Sequence, residues 1–146
     1  MTEANNATVL QQYLAALQAR DAVLERIDKL GSDEQPVLRI AGLGYLLVMV
    51  TADLPGLWSV DQALVTAVQQ QASNEGVSSW FALLITRRDG RGANGYILSD
   101  FSSSPIKRDV EHEGDRLVIR EKRHLDSLRL ILSTDKQADL LLRQRT

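Results

Sequence analysis

The stretch that decides the fold is VLRIAGLGYLLVMVT, residues Val37–Thr51. Apolar and β-branched residues fill both halves of it, and Gly42 and Gly44 break it near the middle. β-branched and aromatic side chains favour strands, and closely spaced glycines mark a tight turn. The stretch therefore predicts a buried hairpin with strands at 37–41 and 45–51. Its continuous apolar character leaves a buried helix as the alternative.

A helical pattern precedes this hairpin. Thr8 and Gln11 have the spacing of a capping box, and Gly31 is placed as a C-terminal stop. The apolar residues between them recur at helical spacing, which predicts one helix of about six turns. Arg20 and Asp21 interrupt its apolar stripe, so the helix is either partly exposed there or pairs its charges locally. A third interpretation is that the stripe forms a seam against a second copy of the chain, made by Leu10, Tyr13, Leu17, Leu24 and Ile27.

Two further capping boxes predict two more helices. After a turn at residues 53–56, Ser59 with Gln62 opens a helix that runs to about Gln71. Near the end of the chain, Thr134 with Gln137 opens a short C-terminal helix.

The second half of the chain predicts strands at residues 80–88, 96–101, 106–113, 116–123 and 128–132. Gly114 and Asp115 suit the type II′ turn of a hairpin. The register set by this turn pairs mainly opposite charges across the strands: Glu113 with Arg116, Asp109 with Arg120, and Arg108 with Glu121, beside Val110 with Ile119. A shift of one residue would lose these pairs.

Together these elements predict an α+β fold of one domain, residues 1–146, with residues 1–7 as a flexible N-terminus. We expect an antiparallel sheet of about five strands. A long N-terminal helix, a middle helix and a short C-terminal helix would pack on it.

Composition limits the chemistry that the chain can perform. The 146 residues contain no cysteine, which excludes disulfides, thiolate metal sites and a cysteine nucleophile. The start of the chain lacks a secretory pattern, so we expect a cytoplasmic protein. The longest apolar run, residues 41–52, is too short to span a bilayer, so no membrane association is expected. The net charge of -2 hides a split, with -5 on residues 1–80 and +3 on residues 81–146.

Arginines carry the excess positive charge of the second half. Arg87, Arg88 and Arg91 lie on a glycine-rich turn, where guanidinium groups could bind a phosphate or a carboxylate. Arg143 and Arg145 add to this candidate binding set for an acidic partner. The plainer interpretation is a solvated hairpin tip whose charges protect a sheet edge.

Catalytic patterns are weak. Asp109, Glu111 and His112 could ligate a divalent metal, but the predicted arginine partners of the carboxylates argue against it. Strand alternation points His112 toward the apolar face, and His124 lies where two strands meet, as a turn residue. We therefore predict no catalytic residues, no metal and no cofactor.

These patterns favour a non-enzymatic protein-interaction domain, such as an adaptor, a small assembly subunit or an immunity-type inhibitor. A protein partner or a second copy in a homodimer is expected, because the two halves carry opposite charge. The alternative is an accessory nucleic-acid-binding protein that uses the arginine-rich tip. A metal-dependent enzyme is the third hypothesis.

Overall fold

A computed structural model describes residues 6–31, 35–53, 55–76, 80–88, 92–99, 111–125, 128 and 130–143. In these residues the helices are α1 (Asn6–Gln18), α2 (Gln62–Asn74), α3 (Glu121–His124) and α4 (Thr134–Leu142). The strands are β1 (Leu24–Arg26), β2 (Val37–Ile40), β3 (Gly44–Thr51), β4 (Leu57–Asp61), β5 (Trp80–Arg88), β6 (Gly92–Ser99), β7 (Glu111–Glu113), β8 (Arg116–Arg120) and β9 (Ile131–Leu132). The α+β class is as expected.

The predicted hairpin is confirmed as strands β2 and β3. They pair antiparallel, with Val37 opposite Leu47 and Ile40 opposite Gly44. Gly42 and Gly44 have φ angles of 82° and 112°, which glycine adopts without the steric cost of a Cβ. The hairpin is buried because its two faces are covered by different layers of the fold.

The prediction of one antiparallel sheet is corrected. The described residues form a six-stranded sheet in the order β1-β2-β3-β5-β6-β9, and a three-stranded sheet in the order β4-β8-β7. The large sheet is mixed, because β3 and β5 run parallel. A parallel pair needs a crossover connection, and β4 with α2 provides it. The sequence prediction missed β4, whose residues alternate in burial.

Two apolar layers lie on the two faces of the six-stranded sheet. The first is formed with α1 and α4 and includes Tyr13, Leu46 and Leu141. The second is formed with α2 and the three-stranded sheet and includes Trp58 and Val68. Successive residues of the central strands enter the two layers alternately, as the strand period of two requires.

The predicted six-turn N-terminal helix is wrong. Helix α1 has 13 residues and ends at Gln18. The amide of Ala22 donates to the Leu17 carbonyl at 3.2 Å and that of Asp21 to the Gln18 carbonyl at 3.0 Å, while Asp21 has a φ of 60°. This is a Schellman ending with aspartate in the left-handed position. The interruption at Arg20 and Asp21 is thus the end of the helix, and Leu24 belongs to β1.

Two predicted capping boxes are also corrected. Ser59 lies inside β4, and Asp61 is the N-cap of α2 without a side-chain cap bond. At α4 the cap is Ser133, whose hydroxyl accepts from the Lys136 amide at 3.3 Å. Gln137 instead donates from Nε2 to the Ile131 carbonyl at 3.1 Å, inside the core. The side chain of Thr8 lies outside the described residues.

The second-half strands follow the prediction in part. Strand β5 has the predicted bounds, and the β7–β8 hairpin pairs Glu113 with Arg116 around Gly114, whose φ is 62°. Strand β8 ends at Arg120, where the chain enters α3 instead of continuing to residue 123. Strand β6 starts at Gly92, before the predicted residue 96, and β9 is shorter than predicted. The predicted pairs of residues 108–110 lie outside the described residues.

Ser133 offers a test of local backbone strain. Its φ of 93° and ψ of 145° are close to a region that only glycine adopts without strain. We expect Ser133→Gly to be more stable than Ser133→Ala by about 1–2 kcal/mol, because alanine loses the cap and keeps the strain. Urea unfolding at neutral pH measures the difference. As a control, Thr134→Gly should destabilise α4, and an alanine variant as stable as the glycine variant would contradict the assignment.

An ion pair between α1 and α4 offers a pH test. Arg20 Nε donates to Asp139 Oδ1 at 2.5 Å, and this hydrogen bond lowers the pKa of Asp139. A carboxyl with a lowered folded-state pKa stabilises the fold above its unfolded pKa of about 3.9 and loses that contribution as the pH falls. We expect Asp139→Asn to lower the urea midpoint at neutral pH, and we expect its difference from the parent to shrink as the pH falls below about 3.9. The more exposed Asp135, 3.4 Å from Arg20, should show a smaller effect as Asp135→Asn.

A candidate binding cleft

The predicted arginine set is only partly within the described residues. Arg87 and Arg88 form the end of β5, and their side chains lie outside the described part, as do Arg91 and Arg145. Arg143 is exposed at the C-cap of α4. Binding by this set, whether of a protein or of nucleic acid, stays a prediction.

The predicted interface seam is divided between the two layers of one chain. Leu10, Tyr13 and Leu17 are buried between α1 and the six-stranded sheet. Leu24 packs against the edge of the same layer, whereas Ile27 packs against the layer on the opposite face. An interface with a second copy through these residues stays a prediction.

The weak metal candidates do not come together in the described residues. Glu111 accepts from Arg120 Nε at 3.0 Å and from Arg123 at 2.5 Å, and the bond from Arg120 lowers its pKa. His112 is opposite the buried Leu117 and therefore lies on the predicted apolar face, but its side chain is exposed. Asp109 lies outside the described residues, within which no three histidine, aspartate or glutamate side chains are placed to hold a metal.

His124 has a structural role. It is 5% exposed, and its Nδ1 accepts from the backbone amide of Arg120 at 2.9 Å. The bond ties the end of α3 to the end of β8, which suits the turn role expected for this histidine.

A cleft of about 400 Å³ lies on the α2 side of the six-stranded sheet. Its floor is a cross-strand row, in which Glu25 of β1 is opposite Arg39 of β2, and Arg39 is opposite Tyr45 of β3. Residues directly opposite one another point to the same face, so the three side chains are neighbours. The end of α2 and the segment after β1 form the walls. We call this site the Glu75 cleft; it is lined by Glu25, Arg26, Ile27, Asp28, Lys29, Arg39, Tyr45, Gln71 and Glu75.

Glu75 organises the cleft. Its Oε1 accepts from Arg39 Nε at 3.0 Å. Its Oε2 accepts from the buried Tyr45 hydroxyl and from Gln71 Nε2, the latter at 2.9 Å. Glu75 is also the C-cap of α2, where the helix dipole disfavours a negative charge. Three donors, one of them cationic, therefore offset an unfavourable position.

Several charged groups of the cleft have polar atoms without a partner among the described residues, and we call these groups open. Arg39 uses only Nε, and its two terminal nitrogens have no partner among the described residues, with the side chain 48% exposed. Glu25 and Lys29 form no ion pair within the part of the chain that is described, whereas Arg26 binds Asp28 at 3.2 Å. The cleft thus presents two open cationic groups and one open carboxylate.

The sequence prediction missed this site, although one signal was present. Arg39 is the only charged residue in Val37–Thr51, and a charge in a buried hairpin needs either solvent or a partner. Its partner Glu75 lies 36 positions away, on another element. No local pattern joins the two residues.

No protein-family model matches the chain, and no curated protein matches it at a significant level. Among the described residues, no helix is both long and apolar enough to cross a membrane.

Removal of the Glu75 carboxylate should destabilise the fold. In Glu75→Ala the buried Tyr45 hydroxyl and Arg39 lose their acceptor, so we expect a loss of about 1–3 kcal/mol in the free energy of unfolding. Adding Tyr45→Phe should recover part of that loss, because it removes the unpaired hydroxyl. Urea titration of both variants measures this. The exposed Asn74→Ala is the control, and an equally stable Glu75→Ala would show that the three bonds contribute nothing.

Proposed function

We propose that the chain is a non-enzymatic protein-interaction domain, such as an adaptor, a small assembly subunit or an immunity-type inhibitor, and that the Glu75 cleft binds its partner. The observation that carries this proposal is the presence of open charges of both signs in one cleft, with Arg39 held in place by Glu75. Charges of both signs complement a protein segment, and they select a partner by penalising a mismatched one.

Rigidity supports the same proposal. Arg39 and Tyr45 project from the central hairpin, and Glu75 is held by three bonds, so little conformational freedom is lost when a partner binds. Sites built on strands and helices are also held more accurately than sites on loops.

The cleft continues toward an accessible border of the sheet. Strand β1 is the outermost strand of its sheet in the described part of the chain. Val23, directly before it, is 70% exposed, the one large hydrophobic side chain so exposed among the described residues. A stable protein interface buries about 1,200–2,000 Å² in total, more than the cleft alone supplies. We therefore extend the proposed surface across β1 to Val23.

A peptide selection tests the proposed function. Phage-displayed peptides are selected on the immobilised parent protein alone, and the enriched peptides are then titrated against the parent and against Lys29→Glu, a reversal of an open charge outside the Glu75 network. We expect enriched sequences whose affinity falls at least about tenfold on the variant, the loss of one favourable charge contact. Peptides that bind both proteins equally, or no enrichment at all, would contradict binding at the cleft.

Self-association is the second part of the proposal. Light scattering between about 5 and 150 µM covers the range in which a micromolar dimer appears, about 8 kcal/mol of association free energy. A homodimer has twice the 16.2 kDa mass of one chain. A constant mass of one chain would leave only a different protein as the partner.

A further inference from the structure

We infer that Arg39 anchors a carboxylate of the partner segment and that Glu25 binds a basic side chain next to it. This inference rests on the proposed function and specifies what the Glu75 cleft takes. It identifies the occupant as a peptide segment in which a carboxylate and an ammonium or guanidinium group are neighbours.

Arg39 is held in place as an anion-binding group. Its Nε donates to Glu75 Oε1 at 3.0 Å, which fixes one edge of the planar guanidinium. Glu75 cannot turn away, because the buried Tyr45 hydroxyl and Gln71 bind its other oxygen. The terminal nitrogens remain available, and they form the fork that matches the two oxygens of a carboxylate.

A second cation lies in the same cleft. Lys29 lines the wall beside β1 and forms no ion pair within the described residues. Arg26 is already bound to Asp28, and part of the charge of Arg39 is offset by Glu75. The open cationic charge therefore amounts to little more than that of Lys29 with the Arg39 fork, which suits a single negative charge.

The acidic residues of the cleft favour a carboxylate over a phosphate. Glu25 is directly opposite Arg39 across the β1–β2 pair, and Asp28 lines the same cleft. A phosphate monoester carries close to two negative charges at neutral pH and would be repelled mainly by Glu25, because Arg26 offsets the charge of Asp28. A carboxylate also offers two oxygens to the guanidinium, but it carries one negative charge, so the repulsion is about half as large.

Glu25 determines the second group of the ligand. Side chains directly opposite each other in an antiparallel pair have Cβ atoms about 5 Å apart. A carboxylate on Arg39 therefore comes close to Glu25, and a basic neighbour on the ligand compensates the repulsion. Adjacent residues of a peptide span this separation, whether the carboxylate is a side chain or the C-terminus.

Four probes test the inference on the whole protein. The first is an N-acetylated, C-terminally amidated alanine peptide with adjacent lysine and glutamate, and the second replaces the glutamate by glutamine. The third has penultimate lysine and a free C-terminus in place of glutamate. The fourth is inorganic phosphate. Binding is measured by the ¹⁵Nε–Hε NMR resonance of Arg39 up to about 10 mM ligand, which detects contacts of a few kcal/mol.

We expect the two carboxylate peptides to shift the Arg39 resonance saturably. The glutamine peptide should bind at least about tenfold more weakly, the loss of one charge-assisted contact. Arg39→Gln lacks this resonance and is followed by the backbone amides of Glu25 and Tyr45, and in it the glutamate and glutamine peptides should bind equally. An additional peptide with glutamine in place of lysine measures the preference for lysine beside the carboxylate, and Glu25→Gln should abolish that preference. Arg116→Gln is the control, since Arg116 binds Asp61 and Ser59 in the other sheet.

Two results would overturn the inference. One is equal binding of the glutamate and glutamine peptides, and the other is tighter binding of phosphate than of either carboxylate peptide. If selected peptides nevertheless bind the parent and not Lys29→Glu, the proposed function stands without this ligand class. If the selection also yields nothing, both fail.

Discussion

The whole structure depends on the parallel pairing of β3 with β5 at the centre of the large sheet, which runs from Tyr45 opposite Trp80 to Thr51 opposite Thr86. Both strands are buried on both faces, so each face needs its own covering layer. Parallel strands also require a crossover, which β4 and α2 supply. Because β5 starts beside the start of β3, α2 has to end above that same border of the sheet. This constraint brings Glu75 over Tyr45 and creates the cleft.

Sequence patterns predicted the elements that local chemistry determines. The β2–β3 hairpin and the β7–β8 turn follow from β-branched runs and from glycines with positive φ. The parallel pairing of β3 with β5 could not be predicted from local patterns. The two strands are separated by the crossover through β4 and α2, and their relative direction depends on the end of the sheet at which the chain re-enters it after α2. Helix α1 was predicted too long because apolar spacing continues past Asp21. Asp21, in the left-handed conformation, ends the helix. Leu24 belongs to strand β1, although its spacing from Leu17 also fits a helix.

The sequence prediction also missed the Glu75 cleft because its residues come from distant parts of the chain. The prediction placed binding on the arginine-rich half, where positive charge is in excess. In the described part of that half, Arg116 binds Asp61, and Arg120 and Arg123 bind Glu111, so these three positive charges are already paired. The informative feature was one arginine in an apolar strand. A charge that local burial disfavours has to be compensated elsewhere, and that compensation here builds the cleft.

Glu75 shows how stability and binding are linked in this fold. A carboxylate at the end of α2 opposes the helix dipole, and it remains there because Arg39, Tyr45 and Gln71 donate to it. One of these bonds, from Arg39 Nε, also holds the guanidinium of Arg39, which lines the cleft. A glutamine in place of Glu75 would relieve the helix end but would bind the guanidinium less strongly, since charge-assisted hydrogen bonds are about twice as strong as neutral ones. The position that is unfavourable for α2 alone is therefore the one that orients the binding group.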